Sequence, residues 1–595
     1  MNTAKQVVES VLTPATTKKY WTINYWPALP FTPQDFSMGA VLTAVFYMFR
    51  WGKRRGSGKF NATFGTINET GNIKPTIEKV SSKIVMEPAN FEGFETRTGQ
   101  AILGDLLLTF CLENKKHLTG RNQQIQRVYP IHYLASWIDL PEHVTNLRYI
   151  PELLVSILSG NTNNARSGAP KSLFPLAQSF EDNLLLNLFG SGMKIRGQLK
   201  TDKTSDIFIE LDERALDVGL DQLLLIRVAQ ACQEAPSKAR GTGEVEDIPK
   251  RQPLAKEATQ RFKEDINVLI QAYGCSVPRK AFSVMLEACF SLGFTNIYMS
   301  TLRMLINWEK QGKLTALDQE PWSFFVDCSV GTDFELRRVA EESMENMLRA
   351  YERFPVILMM LRILDEKTRY DRYLKNMLPP DNPDATDFIN LLGSVLNESH
   401  PFARGILNNL EEECHKLADG LKDADENLPV VELLRLSDPN AVHRLSEALV
   451  NLMGSDRMGK HFLPTLDALL MTNSQHGLCR KRTKLRKNSE GKQSGGETRS
   501  IVLSNTMLDF LVHRHLRKDA NGEGSTRLSL PHFVNVLQQR YGLYVNESPS
   551  DMSISSELLA KNKKILERRL RDLGLLVGVN DAESMKSLRQ RFAAQ

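Results

Sequence analysis

Apolar positions along this chain recur mostly at helical spacing. The clearest run is Leu336, Ala340, Met344, Met347 and Tyr351. Its steps of four, four, three and four keep one face apolar and leave the intervening Glu and Arg residues to solvent. Val356-Ile-Leu-Met-Met-Leu361 follows the interruption at Pro355 and reads as a core helix. Residues 38–49 are an apolar run well short of the ~20 residues a bilayer-spanning helix needs. They read as a buried helix that ends at Arg50 and the cluster Lys53, Arg54 and Arg55. The clearest strand is the stretch in which Asp206, Phe208, Glu210 and Asp212 alternate with Ile207, Ile209 and Leu211, the period of a half-buried strand.

The last hundred residues carry the most ordered pattern. Ser504 is placed to cap a helix holding Met507, Leu508, Leu511 and Val512. Ser529 caps a second, with Phe533, Leu537 and Tyr541 on one face and Gly542 to end it. A third has Leu559, Leu566, Leu570 and Leu573 on one side and Lys561, Lys564, Arg568 and Arg571 on the other. Gly574 stops it, residues 575–579 read as a short strand, and Asn580-Asp581 turns a wing.

These patterns predict a mainly α, multidomain chain with a small α/β part and a C-terminal winged-helix-like domain. At 595 residues the chain is too long for one core, and about three to four domains is the expectation. Breaks rich in Pro, Gly, Ser and charge divide it into a mixed helical domain (1–167), a small α/β region (168–235) and a linker (236–254). A helical domain (255–478), a basic flexible hinge (479–499) and the winged-helix-like domain (500–595) follow.

A hydrophobic content of 42% and a charged content of 24% are those of an ordinary soluble globular protein. The net charge of +5 is small, so any nucleic-acid footprint must come from local clustering. Two clusters qualify. In the hinge, Arg480, Lys481, Arg482, Lys484, Arg486 and Lys487 fall within eight residues, a composition suited to salt-dependent, sequence-independent contact with phosphates. Beside it stands the cationic stripe Lys561, Lys564, Arg568 and Arg571. The N-terminal cluster Lys53, Arg54, Arg55, with Trp51 able to stack on a base, is a third candidate; a basic loop after a buried helix explains it equally.

Catalytic chemistry has a thinner basis. Asp206, Glu210 and Asp212 share one strand face, as carboxylates of divalent-metal nucleases do. Glu210-Leu211-Asp212 has Asp where the nuclease pattern wants Lys. No nucleotide-binding loop, nucleophile elbow or dinucleotide fingerprint is present. Seven dispersed cysteines, none in a Cys-x-x-Cys pair, read as reduced thiols. His476 with Cys479, and Cys414 with His415, lack partner pairs at zinc spacing. The expectation is no cofactor, no metal and no membrane contact. The N-terminal residues show no signal pattern, which points to the cytoplasm.

Two stretches, Gly99-Gln-Ala-Ile-Leu-Gly-Asp-Leu-Leu-Leu-Thr-Phe-Cys-Leu-Glu-Asn114 and Leu566-Glu-Arg-Arg-Leu-Arg-Asp-Leu-Gly-Leu-Leu576, resemble an enzyme-motif-free component of bacterial multi-gene antiphage islands. The methylation-associated defence system is nearest in pattern, with DISARM and BREX-type systems beside it. The resemblance implies a complex with a DNA methyltransferase, ATPases and an effector, in which this chain would hold DNA or bridge subunits. The expected function is a non-catalytic DNA-binding and scaffold subunit. A metal-dependent nuclease and a winged-helix transcriptional regulator remain the alternatives.

Overall fold

The long helix Arg279–Gln311 is the axis of the protein. Its 33 residues span about 50 Å, and apolar or small residues surround it on nearly every side. Such a helix is stable only when covered all round. It is so covered by helices Lys256–Tyr273, Phe354–Tyr370, Leu463–Leu469 and Asn505–His515. Gly293 permits one of these approaches, because a Cβ there would stand 2.0 Å from the Phe262 ring. Trp308 Nε1 donates to Ile389 O at 2.9 Å, and the Tyr298 and Tyr351 hydroxyls meet at 2.8 Å. Those bonds satisfy polar groups that burial would otherwise leave costly.

The computed structural model describes residues 4–54, 64, 75–86, 91–114, 125–138, 147–160, 172–176, 182–190, 193–196, 208–211, 218–231, 248, 251–315, 320–370, 385–423, 428–453, 461–487, 493–517, 528–578 and 586–594. Among them, Arg279–Gln311 is the one helix long and apolar enough to cross a bilayer, and 89% of its apolar window is buried inside the protein. The chain is mainly helical with small sheets. Leu336, Ala340, Met344, Met347 and Tyr351 all lie buried on helix Phe334–Tyr351, as their spacing predicts. The apolar run after Ser37 forms the turn Met38–Ala40 and helix Val41–Trp51, buried from Val41 to Phe49. The acidic strand is Phe208–Leu211, antiparallel to Met193–Arg196. The main buried cluster of the described residues runs from Val7 to Leu588, and a smaller one gathers Phe325, Leu336, Val339 and Ala340.

The terminal segment orders its elements as helix Asn505–His515, strand Leu528–Ser529, helix Leu530–Tyr541, helix Ser556–Asp572 and strands Leu576–Val577 and Ser587–Leu588. The last strand pairs antiparallel with both others and so lies between them. Ser504 and Ser529 cap their helices as their positions predict, and Gly542 ends the second at φ 70°.

Where it is described, the stretch expected to be a flexible hinge is folded. Cys479–Lys487 and Gln493–Ile501 form an antiparallel hairpin, paired in register from Cys479↔Ile501 to Lys487↔Gln493. Composition misleads here because a ladder of backbone bonds pairs the two strands and ion pairs tie their root.

The terminal segment is also welded to the helical body. Asp265 on helix Lys256–Tyr273 accepts from Arg514 at 2.7 Å, Arg540 at 2.7 Å and the Tyr541 hydroxyl at 2.9 Å. Tyr273 donates to His513 O at 3.1 Å. Strand Phe324–Phe325 runs parallel to Leu543–Tyr544. Asp265 and Arg514 are buried, where an ion pair must be well hydrogen-bonded to persist.

Candidate nucleic-acid interface

The rotation of helix Ser556–Asp572 is set by one buried amide. Asn562 Nδ2 donates to Val326 O and Val545 O, both at 2.9 Å, and its Oδ1 accepts from Cys328 N at 3.0 Å. Leu566 and Leu570 continue that buried line. Leu558, Leu559 and Ile565 pack against Leu336, Val339 and Ala340. The opposite side is therefore turned outward. Lys564 is exposed, and the Arg568 and Arg571 side chains are 85% and 46% exposed.

The stripe is partly self-paired. Lys561 lies 2.7 Å from Asp333 and 3.1 Å from Glu335, and its hydrogen bonds to those carboxylates raise its pKa. Arg571 meets Glu567 at 2.7 Å, and Arg568 meets Asp572 at 3.8 Å. Both are i,i+4 pairs; the exposed Arg568 pair is worth a few tenths of a kcal/mol, whereas Glu567 is largely buried and also holds Lys586 at 3.0 Å. A phosphate displaces the exposed Arg568 pair at little cost. Lys561, held by two carboxylates, is the least available of the four.

The hairpin root is tied down by Asp467. Its carboxylate takes two hydrogen bonds from Arg499, each 2.8 Å, and Lys481 stands 3.7 Å away. Burial works to raise the Asp467 pKa, but the Arg499 guanidinium prevails and holds it below the usual carboxylate range. Lys481 also reaches Glu497 at 3.1 Å. Arg480 is half-buried beside Asn473 O, at 3.4 Å, and Arg482 is exposed. Lys484, Arg486 and Lys487 take the register positions opposite Gly496, Ser494 and Gln493.

Hairpin and helix meet at the loop from Asp327 to Asp333. Asp327 N donates to Ile501 O at 2.9 Å. Arg569 donates to Cys328 O at 3.0 Å and to Asn505 Oδ1 at 2.7 Å. Asp327 folds the loop by accepting from Ser329 N at 2.8 Å and Gly331 N at 2.7 Å. Two basic elements that the sequence separates thus rise from a single corner. Asp327, Asn562 and Asp467, which build this corner, are single polar residues that no sequence spacing singles out.

The N-terminal cluster has a different setting. Arg54 Nε lies 2.8 Å from Glu152, and its guanidinium covers the Tyr149 ring at 4.4 Å. Trp51 is half-buried beneath Arg50, at 5.1 Å. Lys53 is exposed, and Arg55 lies outside the described residues. On the acidic strand, Glu210 stands opposite Lys194 in the register, and Asp206 and Asp212 lie outside the described residues. Among the described residues no group of three or more His, Cys, Asp or Glu converges as a metal site. Burial pushes the Cys479 thiol up to about 12, and His476 bonds Glu287 at 2.9 Å.

The family model for Methylation-associated defense system protein MAD7 matches residues 30–592. No curated protein and no solved structure matches the chain.

Proposed function

The chain belongs to the family of methylation-associated defense system protein MAD7, and on that premise we propose that it serves antiviral defence as a non-catalytic nucleic-acid-binding and scaffold subunit. The observation that carries this reading is the convergence of the basic hairpin and the outward face of helix Ser556–Asp572 on one corner. The order of terminal elements, with the last strand between the other two, supports a winged-helix module whose third helix meets the duplex. Cations on a rigid helix face fix register on the phosphates, and the hairpin adds a second charged element beside it. The helical body into which both are built supplies the surface for other subunits of the assembly.

Removing the terminal segment is a poor test, because Asp265 and the parallel strand pair bind it into the core. Charge removal on the surface is the better one. The full chain carrying Lys564→Ala, Arg568→Ala and Arg571→Ala together is compared with the unmodified chain by fluorescence anisotropy on a labelled duplex. Affinity should fall at low salt. The dependence of log K on log salt should flatten by about 0.9 for each phosphate that the variant no longer neutralises. Equal affinity and equal slope would end the reading.

A further inference from the structure

A cleft of about 900 Å³ opens at the hairpin root. One wall is the turn from Met471 to Gly477, which links helix Leu463–Leu469 to the hairpin. Met471 and Asn473 both hold left-handed backbone, φ 48° and 62°, and both line the cleft. Such conformations persist where surrounding structure imposes them. Here the hairpin does so: Asn473 N donates to Cys479 O at 2.9 Å, and Asn473 Oδ1 accepts from Lys481 N at 2.9 Å.

The facing wall carries Arg127, Tyr129 and Lys280. Lys280 Nζ lies 4.2 Å from the Tyr129 ring centre, and the Arg127 guanidinium 5.3 Å from it. Beneath them Glu287, fully buried, pairs with both Arg127 and His476. Gly39 makes room for this arrangement, since a Cβ there would stand 2.5 Å from the Arg127 guanidinium. Arg127 Nε, buried at the cleft wall, donates to nothing among the described residues.

The chemistry narrows the occupant. Three cations line the cleft (Arg127, Lys280, Lys481), and three carboxylates balance them (Asp35, Glu113, Asp467). Burial and the nearby Arg127 push the His476 pKa down to about 4, so that ring adds no charge at neutral pH. A free polyphosphate gains little from such a balance. A neutral heterocycle gains more: the Tyr129 ring and the planar Arg127 guanidinium to lie against, and the side-chain amides of Asn473 and Gln475 with the Ser474 hydroxyl for its edge. Lys481 belongs both to the cleft and to the basic strand, so a strand backbone following the hairpin would pass beside the cleft.

We propose that this cleft receives one unstacked nucleobase from a nucleic-acid strand lying along the hairpin. The proposal rests on the nucleic-acid reading above and names the part of the ligand that the cleft takes.

The test is photochemical cross-linking of the full chain, followed by peptide mapping. Three probes are used: a single strand carrying one iodouracil, a duplex carrying iodouracil in a mispair, and free iodouridine. Cross-links should fall on Tyr129, Met471 or His476 with the single strand, and with the duplex where the mispaired base is drawn out. Ser474→Trp, which fills the cleft from its rim, should abolish those cross-links and weaken single-strand binding about tenfold. Gln475→Trp, at an exposed position, serves if the first variant melts early. Strands that bind but cross-link only elsewhere, or cross-links at Tyr129 that survive the filled cleft, overturn the cleft proposal and leave the nucleic-acid reading standing. Free iodouridine labelling the cleft as well as the strand does would also overturn it, marking a nucleoside site instead. Failure of every oligonucleotide to bind at low salt removes both.

Discussion

Arg54 and Arg568 carry the same guanidinium in sequence settings of similar charge, yet their surroundings differ completely. Arg54 is locked 2.8 Å from Glu152 with its plane over Tyr149. Arg568 is 85% exposed and, among the described residues, is paired with Asp572, one helical turn away, at 3.8 Å. The first has already exchanged its hydration for internal partners, so it contributes to folding. The second keeps its hydration and its freedom, which a phosphate can claim. Counting cations along a chain does not separate these cases; the fixed carboxylate and ring opposite each one do.

Three substitutions sharpen that contrast, and the largest effect belongs to a third kind of cation, the fully enclosed one. Asp265→Ala leaves Arg514 and Arg540 facing each other without their shared acceptor. Loss of a buried partner of this kind costs about 3–5 kcal/mol, read as an earlier midpoint in chemical denaturation. An unchanged midpoint would mean that the terminal segment is not welded through this residue.

Arg54→Ala should cost less, about 1–2 kcal/mol for one charge-assisted hydrogen bond and a ring contact. Duplex affinity should not move. A drop in affinity with stability intact would reverse the assignment of the N-terminal cluster.

The smallest net effect is a pH dependence centred on His513, because Asp509 opposes it. Its Nδ1 donates to Asp509 O at 2.7 Å and its Nε2 accepts from Arg591 N at 3.0 Å, so the neutral ring is the one that fits. Burial lowers its pKa to about 4 from 6.5. A depressed pKa gives stability that is present above 6.5 and lost as pH falls toward 4, because the unfolded ring takes up the proton first. Asp509 works the other way: burial raises its carboxyl to about 6 despite Arg591, so its contribution is full below 3.8 and lost as pH rises through 6. The two windows overlap with opposite sign, so melting curves of the unmodified chain give their sum and a variant separates them. His513→Gln should flatten the acid limb, and an acid limb of unchanged steepness would argue against a neutral His513.

Much of the helical architecture was legible because it depends on period. Leu336 through Tyr351, and the caps Ser504, Ser529 and Gly542, declare themselves through spacing and residue type. The hairpin did not, because Arg-Lys-Arg and Ser-Gly-Gly carry no two-residue apolar alternation. Its register is held by a backbone ladder and by Asp467 from an earlier helix. The pairing of Phe324–Phe325 with Leu543–Tyr544 is two residues long and joins distant parts of the chain, below any pattern that periodicity detects. For the interface, the sequence supplied the candidate cations. It could not supply their partners: which of Lys561, Lys564, Arg568 and Arg571 is spoken for depends on Asp333 and Glu335 of another helix. The cleft was invisible for the same reason, since its walls come from segments that only folding brings together.

The central claim is that the outward face of helix Ser556–Asp572 meets phosphates. The most direct measurement is duplex affinity across about 50 to 200 mM salt for the unmodified chain and for Lys564→Ala, Arg568→Ala, Arg571→Ala, with melting curves run on both. The account predicts weaker binding and a shallower salt dependence, with stability within about 0.5 kcal/mol because these side chains lie on the surface. Superimposable salt curves for two equally stable proteins would contradict it.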